Sequence, residues 1–135
     1  MFDKQTRVLV ADDSLVVRRS IKNMFKEIEF TNVDEAKDGQ QAYDKILAAT
    51  EANEDYGLII SDINMPNMDG LALVRELRGN DTYSKIPFVF VTARGQEKDI
   101  QEGLSLGADH YITKPFTKDD LLKSLGEVFE KVQSR

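Results

Sequence analysis

Four short apolar runs in this chain each lead into polar side chains capable of chemistry. Val8-Leu9-Val10-Ala11 gives way to Asp12-Asp13, Leu58-Ile59-Ile60 to Asp62, Phe88-Val89-Phe90-Val91 to Thr92, and Tyr111-Ile112 to Lys114-Pro115. If the runs are strands of one open sheet, three carboxylates, a hydroxyl and an ammonium meet at the edge where such sheets bind ligands. Each residue alone has a plainer explanation, because an Asp after a strand is commonly a turn residue or a helix N-cap. Agreement among four strand ends favours a shared site.

Three carboxylates against one lysine leave about −2 of charge, and like charges so close raise one another's pKa. A bound divalent cation relieves that repulsion. The donors are oxygens, with no His or Cys beside them, which selects a hard ion. Mg²⁺ suits a site that shares ligands with a phosphate, with Mn²⁺ as a substitute. An Asp in this setting can itself be the nucleophile. It is ionised at neutral pH, needs no general base, and forms aspartyl phosphates in known covalent mechanisms. Lys114, the Thr92 hydroxyl and a backbone N–H near Ala93 would take up the phosphoryl charge by positioning and electrostatics. Ala93 is small enough to let a phosphoryl group approach the backbone. His110, the single histidine, lacks a second His or a Cys and reads as structural or solvated.

The elements that must position these residues follow from periodicity. Apolar residues are consecutive in Val8–Ala11, Leu58–Ile60 and Phe88–Val91, as in strands covered on both faces. Thinner patterns around Val33 and Tyr111-Ile112 supply a second and a fifth strand. Asn32-Val33-Asp34-Glu35-Ala36 is polar enough for an edge strand or a loop. Val17, Ile21, Met24, Phe25 and Ile28 recur with helical period, as do Leu121, Leu122, Leu125, Val128, Phe129 and Val132. A capping box from Thr117 to Asp120 opens the last helix. Further helices are expected from about Gln40 to Ala49, Leu71 to Arg78 and Lys98 to Leu106, the last of these ended by Gly107. A strand–helix unit repeated five times calls for an α/β fold, a five-stranded parallel sheet with helices on both faces.

Bulk properties narrow the field. A chain of 135 residues reads as one domain with a proper core, and no composition break marks a linker. A net charge of −6 argues against a nucleic-acid surface. No apolar run approaches the ~20 residues that span a bilayer. The start, Met1-Phe2-Asp3-Lys4-Gln5, is unlike a secretory signal, and cysteine is absent. The simplest location is cytoplasmic.

The segments Val8-Leu9-Val10-Ala11-Asp12-Asp13-Ser14, Ser61-Asp62-Ile63-Asn64-Met65-Pro66-Asn67-Met68-Asp69-Gly70, Val91-Thr92-Ala93 and Tyr111-Ile112-Thr113-Lys114-Pro115-Phe116 together resemble the response-regulator receiver family, in particular its stand-alone chemotaxis type. The motifs run from the first strand to the last helix, so the resemblance covers essentially the whole chain. It implies a flavodoxin-like (βα)5 fold with strand order 2-1-3-4-5. It implies that Asp62 is the phosphoacceptor and that Asp12, Asp13, Asp62 and the Asn64 backbone carbonyl hold Mg²⁺. By the same resemblance Thr92, the Ala93 N–H and Lys114 bind the phosphoryl group, and Thr92 and Tyr111 form a switch. The Lys114–Pro115 bond would be cis. Asn64 and Arg94 would tune dephosphorylation.

The implied partners are a histidine kinase or phosphotransfer protein and a downstream protein that reads the fourth helix, fifth strand and fifth helix, with neither nucleic acid nor membrane involved. Residues 1–135 read as a single receiver domain with no output domain, so the output is a protein contact. Chemotaxis or motility is the favoured pathway, and a phosphorelay shuttle outside chemotaxis is the alternative. Several rivals on related patterns fit less well. A haloacid-dehalogenase-like phosphohydrolase wants a second acid where Asn64 stands, and a cap domain. A flavodoxin-like electron carrier wants a Ser/Thr/Gly-rich first loop, where Asp12-Asp13 would repel a phosphate. An EF-hand across Asp62 to Gly70 is blocked by Pro66. A degenerate docking receiver would not keep the full acidic set.

Overall fold

The computed structural model describes residues 1–135. Its elements alternate without exception: β1 (Val8–Ala11), α1 (Leu15–Glu27), β2 (Val33–Ala36), α2 (Gly39–Glu51), β3 (Leu58–Ser61), α3 (Gly70–Arg78), β4 (Phe88–Thr92), α4 (Glu97–Ser105), β5 (His110–Thr113) and α5 (Lys118–Gln133). All neighbouring strands pair in parallel, in the order β2-β1-β3-β4-β5. The expected (βα)5 architecture and strand order are those observed.

Strand alternation divides the core into two layers. Leu9, Ala11, Ile59, Phe88 and Phe90 face α2, α3 and α4, where they meet Ala42, Ile46, Leu73, Leu77 and Ile100. Val8, Val10, Leu58, Ile60, Val89 and Val91 face α1 and α5, against Ile21, Phe25, Leu121, Leu125 and Val128. The three inner strands are buried along their whole length, which is why they read as unbroken apolar runs. Truncating a fully buried ring such as Phe25 or Phe90 to Ala would cost about 3–5 kcal/mol.

The two edge strands explain their thin signals. In β2 only Val33 and Ala36 are buried. Asp34 is held by Arg7 at 2.8 Å and by the Tyr56 hydroxyl at 2.6 Å, while Glu35 pairs with Arg18 and Arg19. The segment left open between edge strand and loop is therefore an edge strand whose polar residues are partnered. In β5 only Ile112 is buried.

Helix punctuation also follows the sequence. The Thr117–Asp120 capping box is present, with bonds of 3.1 and 2.9 Å. Gly107 ends α4 at φ +116, a left-handed conformation that glycine adopts without steric cost. The α1 pattern runs one residue past the helix, because Ile28 is its C-cap.

Candidate functional site

Backbone pairing carries the polar residues into register just beyond the strands. The Asp12 N–H donates to Ala36 O (3.1 Å), the Asp62 N–H to Ala11 O (2.8 Å) and the Lys114 N–H to Thr92 O (2.7 Å). The ladder thus continues one residue past β1, β3 and β5 and places their next side chains side by side. The chain reaches Lys114 just before a cis Lys114–Pro115 peptide bond.

Helix capping is done by other residues. Ser14, Asp38 and Asp69 cap α1, α2 and α3, accepting from Val17, Gln41 and Ala72 N–H groups. Asp13 and Asp62 cap no helix, and the buried Asp12 uses one oxygen to accept the Ser14 N–H at 2.9 Å. Its other oxygen accepts from Lys114 Nζ at 2.8 Å, and the same Nζ lies 3.3 Å from an Asp62 oxygen. The second Asp62 oxygen accepts the Ile63 N–H at 2.7 Å. Asp13 is exposed beside them.

One carboxylate oxygen from each of Asp12, Asp13 and Asp62 lies within 4.8 Å of the others. Burial, and then the Asp12 charge, push the Asp62 carboxyl above its ordinary range, although Lys114 pulls the other way. Burial alone would lower Lys114, but its bond to Asp12 and the charges of Asp62 and Asp12 outweigh that and raise it. Three converging oxygen donors around an acid that resists ionisation fit a hard divalent cation. The cluster opens onto a shallow concavity lined by Asp13, Asn64, Met65, Pro66 and Asp69. Another surface concavity, along α1 at Leu15, Val16 and Met24, lies apart from this chemistry.

The loop after Asp62 is tightly fixed. Gly70 donates its N–H to Ile63 O at 2.8 Å, and a Cβ there would lie 2.2 Å from Asp62 O. Asn67, at φ +66, donates its side-chain amide to Asp38 at 2.8 Å, and the Gly39 N–H donates to Met68 O at 2.9 Å. These bonds brace the Asn64 segment against the start of α2.

The remaining expected residues are placed less uniformly. Thr92 is wholly buried, and its hydroxyl donates to Gln96, with no bond to Asp62 or Lys114. Ala93 is exposed, and its N–H donates to no backbone carbonyl. Arg94 and Asn64 are exposed, and Asn64 lines the concavity beside Asp13. Tyr111 is 39% exposed and pairs in register with Phe90, so it lies on the α4 side of the sheet, opposite to Ile112. His110 contacts Glu127 at 2.7 Å, away from the acidic cluster. Sequence reasoning missed Gln96 and the Asp38–Asn67 brace. The one available signal was a Gln, a weak capper, where α4 begins.

Fold and site together define a receiver: a parallel five-stranded sheet with acids and a lysine converging beyond its carboxyl edge. Residues 8–126 match the response regulator receiver domain model, and the chain belongs to that family. It is similar to the chemotaxis protein CheY1 of Helicobacter pylori, with 37% identity over 119 residues, 88% of this chain and 93% of that protein. It is also similar to the chemotaxis protein CheY-3 of Vibrio cholerae, 30% identical over 132 residues and 98% of each chain. Among solved structures, chemotaxis protein CheY4 of Vibrio cholerae superimposes with a TM-score of 0.78 at 32% identity, covering 92% of this chain and 98% of that one. Receivers of this family act in two-component signalling and are not enzymes in the ordinary sense. No helix is long and apolar enough to cross a membrane.

Proposed function

We propose that this chain is a phosphoacceptor switch that takes a phosphoryl group on Asp62 from a phosphohistidine donor and signals through altered protein contacts. The observation that carries the reading is Lys114 Nζ bridging Asp12 at 2.8 Å and Asp62 at 3.3 Å. It lies beside carboxylate oxygens gathered within 4.8 Å. An Asp62 oxygen attacks phosphorus, the P–N bond to the donor imidazole breaks, and its electron pair leaves with the ring, giving an acyl phosphate. Asp12, Asp13, Asp62 and the Asn64 carbonyl would hold Mg²⁺, whose charge would offset that of the phosphoryl oxygens. Lys114 shifts from its carboxylate partners to a phosphoryl oxygen, and Thr92 and the Ala93 N–H bind the other two. Hydrolysis of the acyl phosphate resets the switch, at a pace tuned by Asn64 and Arg94.

In this reading the domain catalyses only its own phosphorylation and dephosphorylation. It works in the cytoplasm, where a histidine kinase or phosphotransfer protein meets it, and its target reads α4, β5 and α5. The likeness to chemotaxis proteins of Helicobacter pylori and Vibrio cholerae supports chemotaxis or motility as the pathway. Magnesium titration of the wild type and of the Asp12→Ala/Asp13→Ala double variant tests the site. Affinity is expected to fall at least about tenfold while the fold persists, because like-charge repulsion is relieved. Wild-type affinity in the double variant overturns the metal assignment.

A further inference from the structure

Thr92 is fully buried, and its hydroxyl is spent on a neighbour outside the acidic cluster: it donates to the side-chain oxygen of Gln96. A hydroxyl carries one proton and donates to one acceptor at a time. Gln96 stands at the N-cap of α4 yet makes no capping bond, and its backbone (φ −110, ψ 31) departs from the extended form of the other N-caps. Its amide oxygen is occupied by Thr92. Farther along, a Cβ at Gly103 would lie 2.3 Å from the Phe90 ring, so the second half of α4 is seated on the sheet. Its first turn leaves Glu97 and Lys98 exposed while Ile100 anchors it in the core.

We infer that Gln96 is a positioning residue that latches the unphosphorylated state by holding the only proton of the Thr92 hydroxyl. The inference rests on the proposed phosphoryl-binding role of Thr92. When a phosphoryl oxygen on Asp62 accepts that hydrogen bond, the bond to Gln96 breaks and the start of α4 loses its side-chain tie to β4. The latch therefore opposes phosphoryl binding and transmits it by the same bond.

The test uses beryllofluoride with Mg²⁺ as the phosphoryl stand-in and reads its affinity by calorimetry. Gln96→Ala leaves the buried hydroxyl without a partner in the unliganded state, so binding is expected to tighten about three- to tenfold. Gln96→Glu, which keeps an acceptor at the same reach, is expected not to tighten it. In a Thr92→Val background, which keeps the volume and removes the hydroxyl, Gln96→Ala is expected to have no effect. An unchanged or weaker affinity for Gln96→Ala, or an equal gain in Gln96→Glu or in the Thr92→Val background, overturns the latch alone. Absence of any Mg²⁺-dependent beryllofluoride binding to the wild type overturns the proposed function and the latch with it.

Discussion

The Lys114 ammonium is the pivot of the site, because it partners two of the three carboxylates and leaves Asp13 facing solvent. A cation already satisfied by Asp12 and Asp62 needs only a small shift to follow charge onto a phosphoryl oxygen. Arg94 stands differently: it is exposed two residues past Thr92 and makes no ion pair or side-chain hydrogen bond. Arg94→Ala is expected to change the acyl phosphate half-life several-fold with Mg²⁺ affinity unaltered, read by following dephosphorylation over time. Equal decay in both proteins would make Arg94 a solvated surface residue. The strand-end acids and Lys114 were legible in the sequence, since apolar runs stop where ligand-binding residues begin. Gln96 was not, because its role depends on a rotamer of Thr92 that no spacing encodes.

At the scale of elements, loops after β2 and β3 hold each other in place. The Gln41 N–H, and after it the Asn67 amide, keep the Asp38 carboxyl below the ordinary carboxylate range. A lowered folded-state pKa contributes stability that is present above the unfolded value and lost as pH falls through the folded one. Asp38→Ala is thus expected to cost about 1 kcal/mol at neutral pH as a lost N-cap. The deficit should shrink as pH falls below the ordinary carboxylate range and wild-type Asp38 protonates. Urea unfolding of both proteins at neutral pH and below that range checks this, and a deficit independent of pH would deny Asp38 its charged capping role. On the opposite edge, Tyr111 sits half out of the sheet on the α4 side. A tyrosine suits both an exposed and a buried pose, and a gap of a few kcal/mol lets phosphorylation shift the balance. Structures without ligand and with Mg²⁺–beryllofluoride should show Tyr111 moving inward as Thr92 turns toward the site. One rotamer in both, with Thr92 unmoved, would rule out this route. Here too the edge strands were the hardest to read, since β2 carries polar residues that are held in pairs with Arg7, Tyr56, Arg18 and Arg19.

Across the whole molecule, the two-layered core explains why one edge of the sheet can carry strained electrostatics. β1, β3 and β4 are fully buried, so the strand ends that present Asp12, Asp62 and Thr92 are fixed by packing and do not depend on the charges they carry. The fold was legible because five strand–helix units announce themselves by period, and strand order followed from the family resemblance. The central claim is that Asp62 accepts a phosphoryl group. Intact-mass spectrometry after incubation with acetyl phosphate and Mg²⁺ tests it most directly. The account predicts addition of a single phosphoryl group to the wild type, none when the metal is chelated, and none to Asp62→Asn, whose amide is not a nucleophile. An Asp62→Asn protein modified to the same extent as the wild type would contradict it.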